Sequence, residues 1–222
     1  MASNRPGRRE KPLLSVRDEG PDDVTAIRAV VARAFGRDAE ADLIDLLRRA
    51  SAATVSLVAV QPAADARRPV DTVIGHILFS PITVDGTPSA RAVGLAPLAV
   101  GPAHQRRGAG TALVEAGLAR CRRLNVNLVV VLGHPQYYPR FGFQPGHQLG
   151  LTCEYDVPPE VFMALELTPG RLASVSGVAR YHAAFAQLRD RGHLVACSVR
   201  GGFLRRLSGQ AQGGGSEWVV TE

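Results

Sequence analysis

The sequence predicts a mixed α/β fold of the α+β type, on three observations. β-Branched runs cluster between residues 55 and 100, and segments of helical period lie on both sides of them. A short continuous apolar run, Leu128–Leu132, follows the longest helical segment, as expected of a strand buried on both faces. The resulting order, β-α-α-β-β-β-α-β-α-β-β, is neither a meander of antiparallel strands nor a regular βαβ alternation.

Each element has a local reason. Leu13 to Arg17 reads as a short strand. Pro21-Asp22-Asp23 opens a helix with acidic groups where the N-terminal dipole favours them, and Ile27, Val30, Val31 and Ala34 give its buried face. A second helix, about Ala39 to Arg49, lines up Leu43, Leu46 and Leu47. Val55 to Val60 and Thr72 to Val84 read as strands, the second ending at the turn signal Asp85-Gly86. Ala92 to Val100 is a further strand, with Pro97 inside it. Gly108 to Leu124 is a helix with Leu113, Gly117, Cys121 and Leu124 on one stripe. Pro135 to Phe141 is a short helix or turn, and Val161 to Leu167 a late strand. Val178 to Leu188 has helical spacing, which predicts a C-terminal helical extension over 171–195 packed on the sheet. The ends, 1–12 and 196–222, are predicted to be flexible tails around a main domain at 13–170.

Composition narrows the function. The chain has 222 residues, 45% hydrophobic and 21% charged, ordinary values for a folded globular protein. No apolar run approaches the roughly 18 residues of a membrane span, and Met1 to Lys11 has no apolar stretch behind its basic residues. Cys121, Cys153 and Cys197 are an odd number without C-x-x-C spacing. Neither a disulfide framework nor a zinc site is expected, and a reducing cytoplasm is the expected compartment. The net charge is +6, and residues 101–150 concentrate it, with six arginines against Glu115. Such a cluster points to a phosphate-bearing partner.

The chemistry is densest from Leu98 to Thr111. A strand ends in Leu98-Ala99-Val100, a loop carries Gln105, Arg106 and Arg107, and Gly108-Ala109-Gly110-Thr111 opens a helix. Glycines there let backbone N–H groups approach a ligand, and a helix N-terminus favours anions. A tight turn bearing solvated arginines has the same local sequence. The segment lacks the Gly-Lys-Ser/Thr of a P-loop and the G-x-G-x-x-G of a dinucleotide fold.

Gln105-Arg106-Arg107-Gly108-Ala109-Gly110 resembles the Q/R-x-x-G-x-G/A loop of the GNAT acyl-CoA N-acyltransferases. Tyr137-Tyr138-Pro139-Arg140-Phe141-Gly142-Phe143 resembles the Tyr-x-x-x-Gly-Phe motif of the same family, in the expected order. Ala34 to Glu40 and Ile74-Gly75-His76-Ile77 are similar to a branch of predicted acetyltransferases, and the likeness covers about residues 13–170. It implies a central, mostly antiparallel sheet flanked by helices, with one splayed parallel strand pair. It implies acetyl-CoA as acyl-donor cosubstrate, bound by Leu98, Ala99, Val100 and by Gln105 to Thr111. Acetyl would pass directly to a primary amine in a ternary complex, without an acyl-cysteine. Tyr138, four residues before Gly142, takes the register of the family's general acid, whereas Tyr137 reads as packing.

The base is left open. An ammonium of pKa about 10.4 is only about 0.04% neutral at pH 7, so a base or a desolvating pocket is needed. Glu40 falls in the segment that forms a substrate wall in the family, and is otherwise a surface carboxylate. His134 follows the second splayed strand and is otherwise a turn residue, while mid-strand His76 reads as a core histidine. No metal is expected, nor a nucleic-acid partner, and the assembly is a monomer or homodimer. A non-catalytic acyl-CoA-binding module is the competing function.

Overall fold

The computed structural model describes residues 14–62, 71–87, 90–170, 175–189, 204–206 and 218–220. Most of both predicted tails, and Cys197, lie outside the described residues. The first strand, β1 (Ser15–Asp18), is followed by a 3-10 turn over Pro21–Asp23 and helices α1 (Val24–Phe35) and α2 (Ala39–Arg49). Strands β2 (Val55–Gln61), β3 (Thr72–Val84) and β4 (Ala92–Val100) come next, then α3 (Ala109–Arg123) and β5 (Leu128–Leu132). A 3-10 turn at Tyr138–Phe141 leads to β6 (Gln144–Pro145), β7 (Leu151–Cys153), β8 (Phe162–Glu166) and β9 (Gly177–Arg180).

The strands form one sheet in the order β1-β2-β3-β4-β5-β8-β6, with β9 pairing both β3 and β7. Along the main path only β4–β5 is parallel. The predicted α+β architecture, mostly antiparallel with one parallel pair, is therefore observed. Side chains alternate between two cores because strand side chains alternate in direction. Along β4, Val93, Leu95, Leu98 and Val100 face α3 with Leu113, Val114 and Cys121. Ala92, Ala96 and Ala99 face α1 and α2 with Val30, Val31 and Leu43.

Two expectations are corrected. Leu124, placed on the buried stripe, is 48% exposed because α3 ends at Arg123, one residue earlier. The helix expected over 178–188 is instead β9, a 3-10 turn at Ala183–Phe185 and a four-residue helix, α4 (Ala186–Arg189). The 13-residue β3 runs past the start of β4, and its end captures β9 through Thr83↔Arg180 and Val84↔Ala179. An Asp85–Arg180 ion pair sits at the same place. Propensity yields here to an available strand edge. Within the predicted C-terminal tail, β10 (Leu204–Arg206) and β11 (Trp218–Val220) pair antiparallel, a contact between segments too far apart for local pattern to show.

Candidate active site

The site begins where two strands part. β4 and β5 pair at Ala92↔Leu128, Val93↔Val129 and Gly94↔Val130, and there the register ends. Beyond Gly94, β4 continues to Val100 along β3, while β5 continues to Leu132 along β8. The result is a V with its vertex at Gly94. On its other edge β4 carries one extra residue, since Ile77 and Phe79 oppose Leu98 and Leu95. The irregularity coincides with Ala96-Pro97, joined by a cis peptide. Proline has no N–H to give a ladder, so a bulge is where a mid-strand proline is tolerated.

Leu98, Ala99 and Val100 are buried at the open end of β4. Gly101 N–H donates to the Ile74 carbonyl at 2.9 Å, anchoring that end to β3. The Gln105 side-chain amide donates to the Val100 carbonyl at 3.1 Å, which fixes the following loop. Arg106 (φ 57°) and Gly108 (φ 92°) are both left-handed, so the chain coils tightly into α3. Arg106, Arg107 and Gly108 are exposed, Ala109 is buried, and Gly110 and Thr111 lie between. The first amides of a helix lack intrahelical acceptors, so this end presents donors to an anion. A β-carbon on Gly110 would stand 2.8 Å from the Tyr137 hydroxyl oxygen.

Tyr138 closes the other arm of the V. Its ring is wholly buried on Gly133, where a β-carbon would come within 2.3 Å of it, and against Phe143 at a centroid distance of 5.5 Å. Tyr137 meets it edge-on at 5.0 Å, and the Arg140 guanidinium lies 3.8 Å from the Tyr137 centroid. Tyr137 is thus the more exposed of the pair, joining α3 to this turn.

Glu40 and His134, expected at the substrate side, and His76, expected in the core, occupy three separate environments. Glu40 is fully buried in the first turn of α2 and is held by both Nε and Nη2 of Arg37, so it is not a surface carboxylate. His134 is half-buried after β5 and its Nδ1 accepts from the Gln136 N–H at 3.3 Å, the geometry of a turn. His76 is fully buried on the α1/α2 side of the sheet. Its Nε2 lies 2.8 Å from Ser56 Oγ and 3.4 Å from Glu19 Oε2. Glu19 also accepts from Arg48 Nε at 2.6 Å and from the Ser56 hydroxyl. Burial pushes the Glu19 carboxyl up, but hydrogen bonds from His76, Ser56 and Arg48 outweigh it and hold the pKa down at about 2. Burial drives the His76 pKa below its ordinary value, against the pull of Glu19.

Sequence reasoning missed Glu19, Arg48 and Ser56. Ser56 stands 37 residues from Glu19, and none of the three carries a motif. Burial pushes the thiols of Cys121 and Cys153 up to about 12 and about 11, so neither is an activated nucleophile. Among the described residues no group of three or more His, Cys, Asp or Glu is placed to hold a metal, and no helix is long and apolar enough to cross a membrane.

A sheet split at a parallel pair, with a helix N-terminus at its mouth, defines an acyl-CoA N-acyltransferase scaffold. The Acetyltransferase (GNAT) family model matches residues 26–143, and the chain belongs to that family. It is 35% identical over 172 residues to the uncharacterized N-acetyltransferase YhbS of Escherichia coli (strain K12), covering 78% of this chain and 98% of that protein. The crystal structure of Escherichia coli YhbS in complex with CoA superposes with TM-score 0.73 at 31% identity, covering 89% of this chain and 99% of that one. A GNAT acetyltransferase from Brucella melitensis in complex with acetyl-CoA gives TM-score 0.63 at 33% identity, over 79% and 99%.

Proposed function

We propose that this protein transfers the acetyl group of acetyl-CoA directly to a primary amine, in a ternary complex. The observation that carries the reading is the end of β4–β5 pairing at Gly94↔Val130, beyond which β5 no longer pairs with that edge of β4. The complexes of two relatives with CoA and acetyl-CoA support the same cosubstrate here.

In this reading the first amides of α3 bind the pyrophosphate, assisted by Arg106 and Arg107. The open edge of Leu98–Val100 hydrogen-bonds the pantetheine arm, and the backbone N–H near Val100 stabilises the oxyanion. Tyr138 donates its phenolic proton to the departing thiolate. The six arginines of 101–150 divide among the loop, the end of α3 and the Tyr137 ring, with Arg120 paired to Asp18. That dispersal favours a single small phosphate ligand over a nucleic acid.

The complete burial of Tyr138 favours one other reading, a module that binds acyl-CoA without turnover. An amine panel with acetyl-CoA, followed by free-thiol release, separates the two. Amine-dependent release above the hydrolysis background establishes transfer, whereas tight acetyl-CoA binding with no amine-dependent release establishes the module.

A further inference from the structure

The buried cluster of Glu19, Ser56 and His76 fixes a tautomer. Glu19, with a pKa near 2, is a carboxylate at neutral pH and accepts the Ser56 hydroxyl proton. Ser56 Oγ must then accept from His76 Nε2, 2.8 Å away, so Nε2 carries the hydrogen. That leaves Nδ1 as a bare lone pair. Nδ1 is fully buried and has no hydrogen-bond partner among the described residues. A buried polar atom left unmatched is costly, and a fold that retains one invites a function for it.

The sheet places His76 on β3, the strand next to the open arm of β4. His76 lies directly across from Ala99, and directly opposed residues on neighbouring strands stand about 5 Å apart. On the face it shares, β4 is reduced to Ala92, Gly94, Ala96 and Ala99. No large β4 side chain therefore stands between His76 and the open edge of that strand.

We propose that His76 is the base for the acceptor amine, its Nδ1 taking the proton through one water on the α1/α2 face of β4. The proposal rests on the acetyl-transfer reading above and supplies the group that the sequence left unassigned. One ammonium proton moves to Nδ1, and the amine lone pair forms the C–N bond at the thioester carbon. The C–S bond breaks with its electrons leaving on sulfur, and the second nitrogen proton ends on the thiolate by way of Tyr138. The imidazolium then returns its proton to water. Glu19, Ser56 and Arg48 position the ring, and the charges that bear on it are Glu19, Asp23 and Arg48. Glu19 and Asp23 favour the imidazolium and Arg48 opposes it, while burial keeps the resting ring neutral at pH 7.

The test is a pH profile of kcat/KM for the amine in wild type, His76→Gln and Ser56→Ala, with acetyl-CoA affinity measured by calorimetry. Gln keeps an N–H for Ser56 but has no basic nitrogen. Its kcat/KM should fall about 10²–10⁴-fold, lose the limb below pH 6.5, and leave acetyl-CoA affinity unchanged. A folded His76→Gln within about threefold of wild type overturns the proposal. If that variant fails to fold, Ser56→Ala decides: about tenfold loss with a displaced acidic limb supports the base, and a wild-type profile overturns it. If no amine in the panel is acetylated, hydrolysis of acetyl-CoA gives the same comparison, since water must lose a proton too. A wild-type protein that does not bind acetyl-CoA would refute the acetyl-transfer reading itself, whereas full turnover in His76→Gln would refute only the role of His76.

Discussion

The ring of Tyr181 lies over Gly94, with Cε1 2.8 Å from where a β-carbon on that glycine would be. Gly94 is the last β4 residue paired with β5, so a residue from the C-terminal segment braces the vertex of the cleft. Tyr155 stacks on Tyr181 at 5.5 Å and Phe185 meets it at 5.1 Å, while Glu154 accepts the Tyr181 N–H at 2.6 Å. The C-terminal segment is therefore part of the site's support.

That contact predicts overpacking. In Gly94→Ala the new methyl meets Tyr181 at 2.8 Å and Ile82 at 3.1 Å. Strain of this kind costs about 1–3 kcal/mol. Urea unfolding should show the loss in Gly94→Ala, and Tyr181→Leu in the same background should recover part of it. Simple additivity of the two changes would show that the residues do not share the space.

Acetyl-CoA binding should depend on backbone approach more than on charge. Gly110→Val drives a side chain into the Tyr137 hydroxyl and covers the first amides of α3, so calorimetry should find no binding. Arg106→Ala/Arg107→Ala should weaken binding less, because both arginines are exposed and screened by salt. Wild-type affinity in Gly110→Val would exclude the N-terminus of α3 as the pyrophosphate site.

Tyr138→Phe keeps the buried ring and deletes its proton. If Tyr138 is the acid, kcat should fall about 10²–10⁴-fold with little change in acetyl-CoA affinity. Tyr137→Phe should retain most activity. Equal, small effects at both positions would leave Tyr138 as packing on Gly133.

Stability should fall with acid in two stages. The buried His76 has a depressed pKa, so its share of stability is present above 6.5 and lost as the pH drops below it. Glu19 is also depressed, so its share is present above about 4.5 and lost as the pH approaches 2. Urea midpoints between pH 8 and 3 should show both stages, the upper one missing in His76→Gln. A midpoint constant from pH 8 to 5 in wild type would mean that His76 is not held neutral.

Cysteine chemistry should be silent. Cys121 and Cys153 have thiols pushed up to about 12 and about 11, so intact mass after incubation with acetyl-CoA should show no adduct on either. A cysteine adduct that turns over would replace direct transfer with a two-step mechanism.

Periodicity alone located α1, α2, α3 and the strands β2 to β5, because each buries a face whose apolar spacing is set by its own backbone repeat. The Gln105–Thr111 and Tyr137–Phe143 motifs were equally legible, since the loop and the aromatic turn are each continuous in the chain. Tertiary structure decided the rest. It made residues 177–180 a strand by offering them the free end of β3, and it buried Glu40 against Arg37. It also joined Glu19, Arg48, Ser56 and His76 into one cluster. Those outcomes depend on which strand edge stands free and which charges share a low-dielectric interior, and both are set only when distant segments meet.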